Sequence, residues 1–534
     1  MARDAETAFS FAVSLANRKN LGYLLELCSG ISAIAGLADI LVDPLPRYCH
    51  YQISRIVSDA ILRSNASNEA SATFRHDELR KLINNAINVT HNTESVKKMS
   101  EASGTESVRL ELMRFLAQLG QIQLAPFEDD PALLGGRTIG LLEVIPARHR
   151  KEIEQKIAGA SQMLAVPLEE LIGISATVAA RLYLSLLTRY ARLWEEFNSC
   201  LPVGDLRLEE ALRQLDQRAL ERYWSFTADS LIREGGASER ETKAFLNLFS
   251  RAPDELREAG QDLNSAFQVG HPAVRMLPLD RYPVVALPCG RYIIPNITIF
   301  RNAFPHVLDF SLMDAYRKCG CDNIYNQVRG LALELYICSL ISTRLPRCVL
   351  IPETEYRSPY GGRRSPDLCI LDPSDTSLIA IEAKARRLSP AAAVGTTNVD
   401  LDQNHGPSVE ALRKLPEKLD DVYTAAEFQP WRIHLERIPR SRAVLVSVVS
   451  DTVFFHDEIE PLRARFDQAH PLASLTEPFC FLDLGVFERA VDIAYTQKVS
   501  LAQLFREHYE DTRGGDPNTP AARLFRGRLA AFRS

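Results

Sequence analysis

Apolar residues recur at three- and four-residue spacing through the first half of the chain, most clearly over residues 108–119, 168–199 and 208–233. That period predicts amphipathic helices. Strand-like runs are nearly absent before residue 270. Breaks are marked by Asp43-Pro44-Leu45-Pro46, Gly104-Thr105, residues 126–131, Gly135-Gly136 and Gly235-Gly236. No fixed period repeats, so a regular solenoid is not expected. The pattern changes near residue 272. Short β-rich runs at 283–288 and 292–295 flank Cys289-Gly290-Arg291, which predicts a hairpin. A helix is expected over 324–343. Strands are expected at 348–352, 367–371, 378–384, 443–449 and 479–484, with helices over 409–426 and 487–509. Helix, several strands, helix, strand is the order of a mixed α/β layer fold.

One pair of these runs carries charge where a core strand would not. Ser365-Pro366-Asp367 leads into the apolar run Leu368-Cys369-Ile370-Leu371, and Asp372-Pro373-Ser374-Asp375 supplies turn chemistry. The chain returns as Leu378-Ile379-Ala380-Ile381-Glu382-Ala383-Lys384. Strand alternation puts Glu382 and Lys384 on one face. A tight hairpin would bring Asp367 beside Glu382. Two neighbouring carboxylates repel unless a cation lies between them, and a few hard oxygen donors suit Mg²⁺, with Mn²⁺ as a substitute. Asp367 and Glu382 would hold that metal, with the Ala383 carbonyl as a further ligand. Lys384 would orient the attacking water or stabilise charge on a phosphate.

These residues resemble the PD-(D/E)xK, or restriction-endonuclease-like, nuclease superfamily. Its pattern stands here as Pro366-Asp367 followed by Glu382-Ala383-Lys384. Many members carry a Glu on the preceding helix, often after a Gly. Gly330-Leu331-Ala332-Leu333-Glu334 matches that, and makes Glu334 a catalytic or metal-binding candidate. Gly330 inside a helix suggests close approach of helix to sheet. The resemblance covers residues 323–509. It implies a metal-dependent endonuclease, with double-stranded DNA as the expected partner and bacterial restriction or defence as the expected role. The fold class that follows is α plus α/β. A helical region at 1–270 would sense or regulate. A β-hairpin and connecting segment would occupy 271–322, the nuclease domain 323–510 and a basic tail 511–534. The alternative is a non-catalytic helical interaction or nucleic-acid-binding protein carrying a silent nuclease fold.

Composition adds limits. The formal net charge is −6, so attraction of nucleic acid must come from a local basic patch. Arg364, Arg386, Arg387 and Lys414 are the candidates for phosphate contact, with Arg363 and Arg413 beside them. Each also reads as an ordinary solvated charge. No Gly-rich phosphate loop ending in Lys-Ser or Lys-Thr occurs, so an NTPase is not indicated. The first ten residues do not read as a signal peptide. The apolar stretch 21–42 contains Glu26 and Asp39, which favours a buried helix pair over a membrane span. Cys319 and Cys321 lack a second pair at zinc spacing, and free thiols in a cytoplasmic protein are expected. A homodimer would suit cutting of both strands, and the helical half offers a surface for a protein partner.

Overall fold

The computed structural model describes residues 2–35, 47–75, 77–89, 131–202, 207–267, 277–358, 361–385, 398–450 and 475–513. The helix expected at 108–119, the pair Arg386 and Arg387, and most of the tail fall outside these ranges. The described residues are mostly helical, with the larger sheet in the C-terminal half. The chain divides into two compact units. One is Met1–Ile139 with Gln162–Asp322, the other Gly140–Ser161 with Asn323–Ser534. The hairpin segment 271–322 therefore packs with the helical residues, and a stretch of the N-terminal half belongs to the second unit.

In the first unit, helix Leu21–Ala35 is a buried element packed against helices Arg47–Arg63 and Arg207–Leu220. Glu26 is 1% exposed, and its carboxylate accepts the backbone N–H of Trp224 at 2.8 Å. No helix among the described residues is long and apolar enough to cross a membrane. The hairpin at 284–293 forms, and two-residue strands Phe226–Thr227 and Ser250–Arg251 extend it to four strands. These strands correct the all-helical reading of residues 1–270. The run 208–233 is likewise broken, because Arg222 turns the chain at a positive φ of 55°. Residues after the hairpin are not a connector. They form helix Ile297–Lys318, capped by Asn296, whose side chain accepts the Thr298 and Ile299 N–H groups. Pro305 lies inside that helix and disguises it as a break.

The second unit is built on helix α1 (Asp322–Arg344) and a five-stranded sheet. Its strands are β1 (Val349–Pro352), β4 (Leu368–Asp372), β5 (Ser377–Lys384), β6 (Ala443–Val449) and β7 (Phe479–Asp483). A separate hairpin, β2 (Glu355–Ser358) with β3 (Gly361–Arg364), stands between β1 and β4 in the chain. The sheet order is β7-β6-β5-β4-β1. β1, β4 and β5 run antiparallel in turn, whereas β5, β6 and β7 are parallel. Central parallel strands are covered on both faces, which is why β5 and β6 read as nearly continuous apolar runs.

One face, with Leu368, Ile370, Ile379, Ile381, Val444 and Val446, packs on α1 and on helices α3 (Leu484–Gln497) and α4 (Leu501–Arg513). Helix α2 (Asn398–Thr424) lies against β5 and β6 and buries Leu412, Leu415, Leu419 and Val422. The single helix expected over 487–509 is two, because Lys498 takes a left-handed φ of 55° after α3. Asp483 caps α3 by accepting the Val486 N–H at 2.8 Å. Gly140–Ser161 packs along α1. A Cβ at Gly140 would come within 2.9 Å of the Tyr336 ring, and Arg148 donates to Ser339 at 3.4 Å. Gly330, by contrast, faces open space, since a Cβ there would meet nothing within 4 Å. Close helix–sheet contact is therefore not its explanation.

Candidate active site

β4 and β5 pair in the register Leu368↔Ile381. One step beyond β4, Asp367 falls opposite Glu382, on the same sheet face. Their backbone is fixed from the strand edge. Ser365 N donates to the Thr354 carbonyl, its hydroxyl accepts the Thr354 N–H at 2.9 Å, and the Glu353 N–H reaches the Asp367 carbonyl. The Asp367 side chain then turns back onto β5, where Oδ2 accepts the Ala383 N–H at 2.7 Å.

Glu382 is 2% exposed. A carboxylate buried that deeply needs charged or hydrogen-bonding partners. Lys384, two residues along the same face, donates to Glu382 Oε2 at 2.8 Å and to Asp367 Oδ2 at 3.2 Å. The second partner is not among the residues the sequence singles out. Lys418 of α2 pairs with Glu382 Oε1 and lies 3.4 Å from the Ser365 carbonyl. Its sequence signal is an ammonium side chain three residues after Leu415 and four before Val422, within the buried stripe of α2. Ser447 of β6, fully buried, is the register partner of Glu382.

Burial raises the Asp367 carboxyl to about 6, with Glu382 adding to the effect against Lys384 and the Ala383 N–H. Glu334, half-buried on α1, is pushed up to about 8 by burial and then by the Asp367 and Glu353 charges. Among the described residues no hydrogen bond or ion pair reaches the Glu334 carboxylate. Lys384 shows the opposite balance. Burial pulls its ammonium down, but Asp367 and Glu382 outweigh that, so its affinity for the proton is raised. It stays charged at neutral pH.

The structure thus brings Asp367, Glu382, Lys384 and the Ala383 backbone together, and places Glu334 within the electrostatic reach of Asp367. The proposed phosphate contacts are not gathered in the same way. Arg364 is 63% exposed and pairs with Glu353 at 3.6 Å and Glu355 at 3.2 Å. Arg363 pairs with Glu417 at 2.5 Å. Lys414 and Arg413 both lie on Glu410 at the surface of α2. Cys319 and Cys321 are free thiols.

The chain matches no family model, no curated protein and no solved structure. The site is left to its own chemistry. Its donors are hard carboxylate oxygens, the class Mg²⁺ and Mn²⁺ prefer. Two of the three carboxyls hold their protons more tightly than ordinary acids, through burial first and then through neighbouring carboxylates. The donor set therefore fits a divalent ion. Among the described residues, though, no three acidic, histidine or cysteine side chains are closed into a metal cage. The Lys384 and Lys418 ammonium groups stand at the carboxylates instead.

Proposed function

We propose that residues 323–513 are the core of a metal-dependent nuclease of the PD-(D/E)xK type, with double-stranded DNA as substrate. The observation that carries the reading is the Asp367–Glu382–Lys384 cluster at the carboxyl end of β5, with Lys384 within 3.2 Å of both acids. The order α1, three antiparallel strands, α2, then parallel β6 agrees with the fold the resemblance implies. Asp367, Glu382, Glu334 and the Ala383 carbonyl would hold Mg²⁺ or Mn²⁺. The bound ion would polarise the scissile phosphate and make water more acidic.

The protein's own groups divide the remaining work. Asp367, fixed by the Ala383 N–H, and Glu382, fixed by its place in the sheet, set the positions of the ligand oxygens before any substrate arrives. Lys384 is a donor, because its raised proton affinity keeps it cationic. It orients a water or steadies the developing charge on a phosphate, and does not abstract a proton in that state. The helical unit supplies sensing or positioning, and restriction or defence is the role this reading suggests. The full chain with Mg²⁺ or Mn²⁺ should cut duplex DNA, and the cutting should stop with EDTA. No cleavage of DNA or RNA with either ion would favour the alternative, a binding protein with a silent fold.

A further inference from the structure

Glu382 is held from two sides, and the two contacts are not equivalent. Lys384 bridges Oε2 of Glu382 and Oδ2 of Asp367, so it belongs to both acids. Lys418 reaches Glu382 Oε1 alone, from another element, with the Ser365 carbonyl as its second acceptor. Its neighbours Leu415 and Leu419 are fully buried, which fixes the root of the side chain in the core of α2. Its four-carbon stem is flexible, and the side chain is 25% exposed, so the ammonium can leave without unpacking the helix.

Resting on the nuclease reading, we propose that Lys418 is a resident counter-ion. It occupies Glu382 while no divalent cation is bound, gives way to that cation, and transfers to the substrate phosphodiester. An ammonium and a divalent ion sharing one buried carboxylate repel strongly at low dielectric. Charge balance supports the exchange. Once a divalent cation is bound and all three acids are ionised, three carboxylates, two ammonium groups and the cation carry one net positive charge. A single phosphodiester neutralises it. The same lysine thus weakens binding of the metal alone and favours binding of metal and nucleic acid together. By linkage, each ligand then raises the affinity for the other. In this scheme Lys418 acts on the metal through Glu382 and then touches the substrate phosphate itself.

Calorimetric titration of the full chain with Mn²⁺, without nucleic acid, tests the proposal through the direction of the effect. Lys418→Met should bind Mn²⁺ about tenfold more tightly than the unsubstituted protein, a coupling of ordinary size. Lys418→Arg keeps the charge and should stay close to the unsubstituted value. A lysine that only orders Glu382 would act the other way, because its loss would loosen the ligand and weaken binding. Unchanged or weaker binding by Lys418→Met, with Mn²⁺ binding still abolished by Asp367→Ala, overturns the role of Lys418 and leaves the nuclease reading standing. If the unsubstituted protein takes up no Mn²⁺, or Asp367→Ala binds it equally well, the nuclease reading falls and this proposal with it.

Discussion

Glu382→Gln should cost about 10³-fold in metal-dependent cleavage, the loss expected when several kcal/mol of charge stabilisation disappears. The replacement is nearly isosteric, so β5 should keep its place between β4 and β6. Its amide oxygen can still accept from one ammonium. The other, Lys384 or Lys418, is about a quarter exposed and can turn to water. Thermal unfolding should shift by only about 2–4 °C, equivalent to about 1 kcal/mol in a unit of this size. Asp367→Asn should behave in the same way. Its amide nitrogen would face the Ala383 N–H unless the side chain flips, so a slightly larger loss of stability is expected. A Glu382→Gln protein that cuts at the full rate would remove this residue from the chemistry.

Lys384→Met should abolish cleavage and also make stability depend more steeply on pH. Lys384 is the cation shared by Asp367 and Glu382, and only Glu382 has Lys418 in reserve. Asp367, 9% exposed, would keep the Ala383 N–H and nothing cationic. Its carboxyl, already raised to about 6 by burial and by Glu382, would rise further. A carboxyl with a raised folded-state pKa stabilises the fold below its unfolded value, near 4, and loses that contribution as pH rises through the folded value. The substituted protein should therefore match the original closely at pH 4–5. It should fall about 2–3 kcal/mol behind it at pH 8, less than for a fully buried pair because Lys384 is 28% exposed. Urea unfolding at both pH values would show this. A deficit of equal size at both would mean that packing, and not charge, is what Lys384 supplies.

The parts of the fold legible in the sequence are those in which local pattern and tertiary role agree. β5 and β6 are covered on both sides, so every position is apolar except Ser377 at the hairpin turn and those at the site. Glu382 and Lys384 stand out for that reason. The turn chemistry of residues 372–375 sets the hairpin and so sets Asp367 opposite Glu382. Other features depended on distant partners. Helix Ile297–Lys318 tolerates Pro305 through packing that no local rule reports. Gly140–Ser161 joins the second unit through contacts with Tyr336 and Ser339, nearly two hundred residues away. The sequence singles out Lys414 and not Lys418, one helical turn later. Both are lysines on the same helix, and only burial of Leu415 and Leu419 shows which one turns inward.

The convergence of Glu334, Asp367 and Glu382 on one cation is tested most directly by counting bound Mn²⁺ with electron paramagnetic resonance. The unsubstituted chain should bind one ion per molecule at Mn²⁺ concentrations where Asp367→Asn and Glu382→Gln bind none and Glu334→Gln binds it more weakly. Retention of the ion by Asp367→Asn or Glu382→Gln, or none in the unsubstituted chain, would contradict a shared metal site at the end of β5.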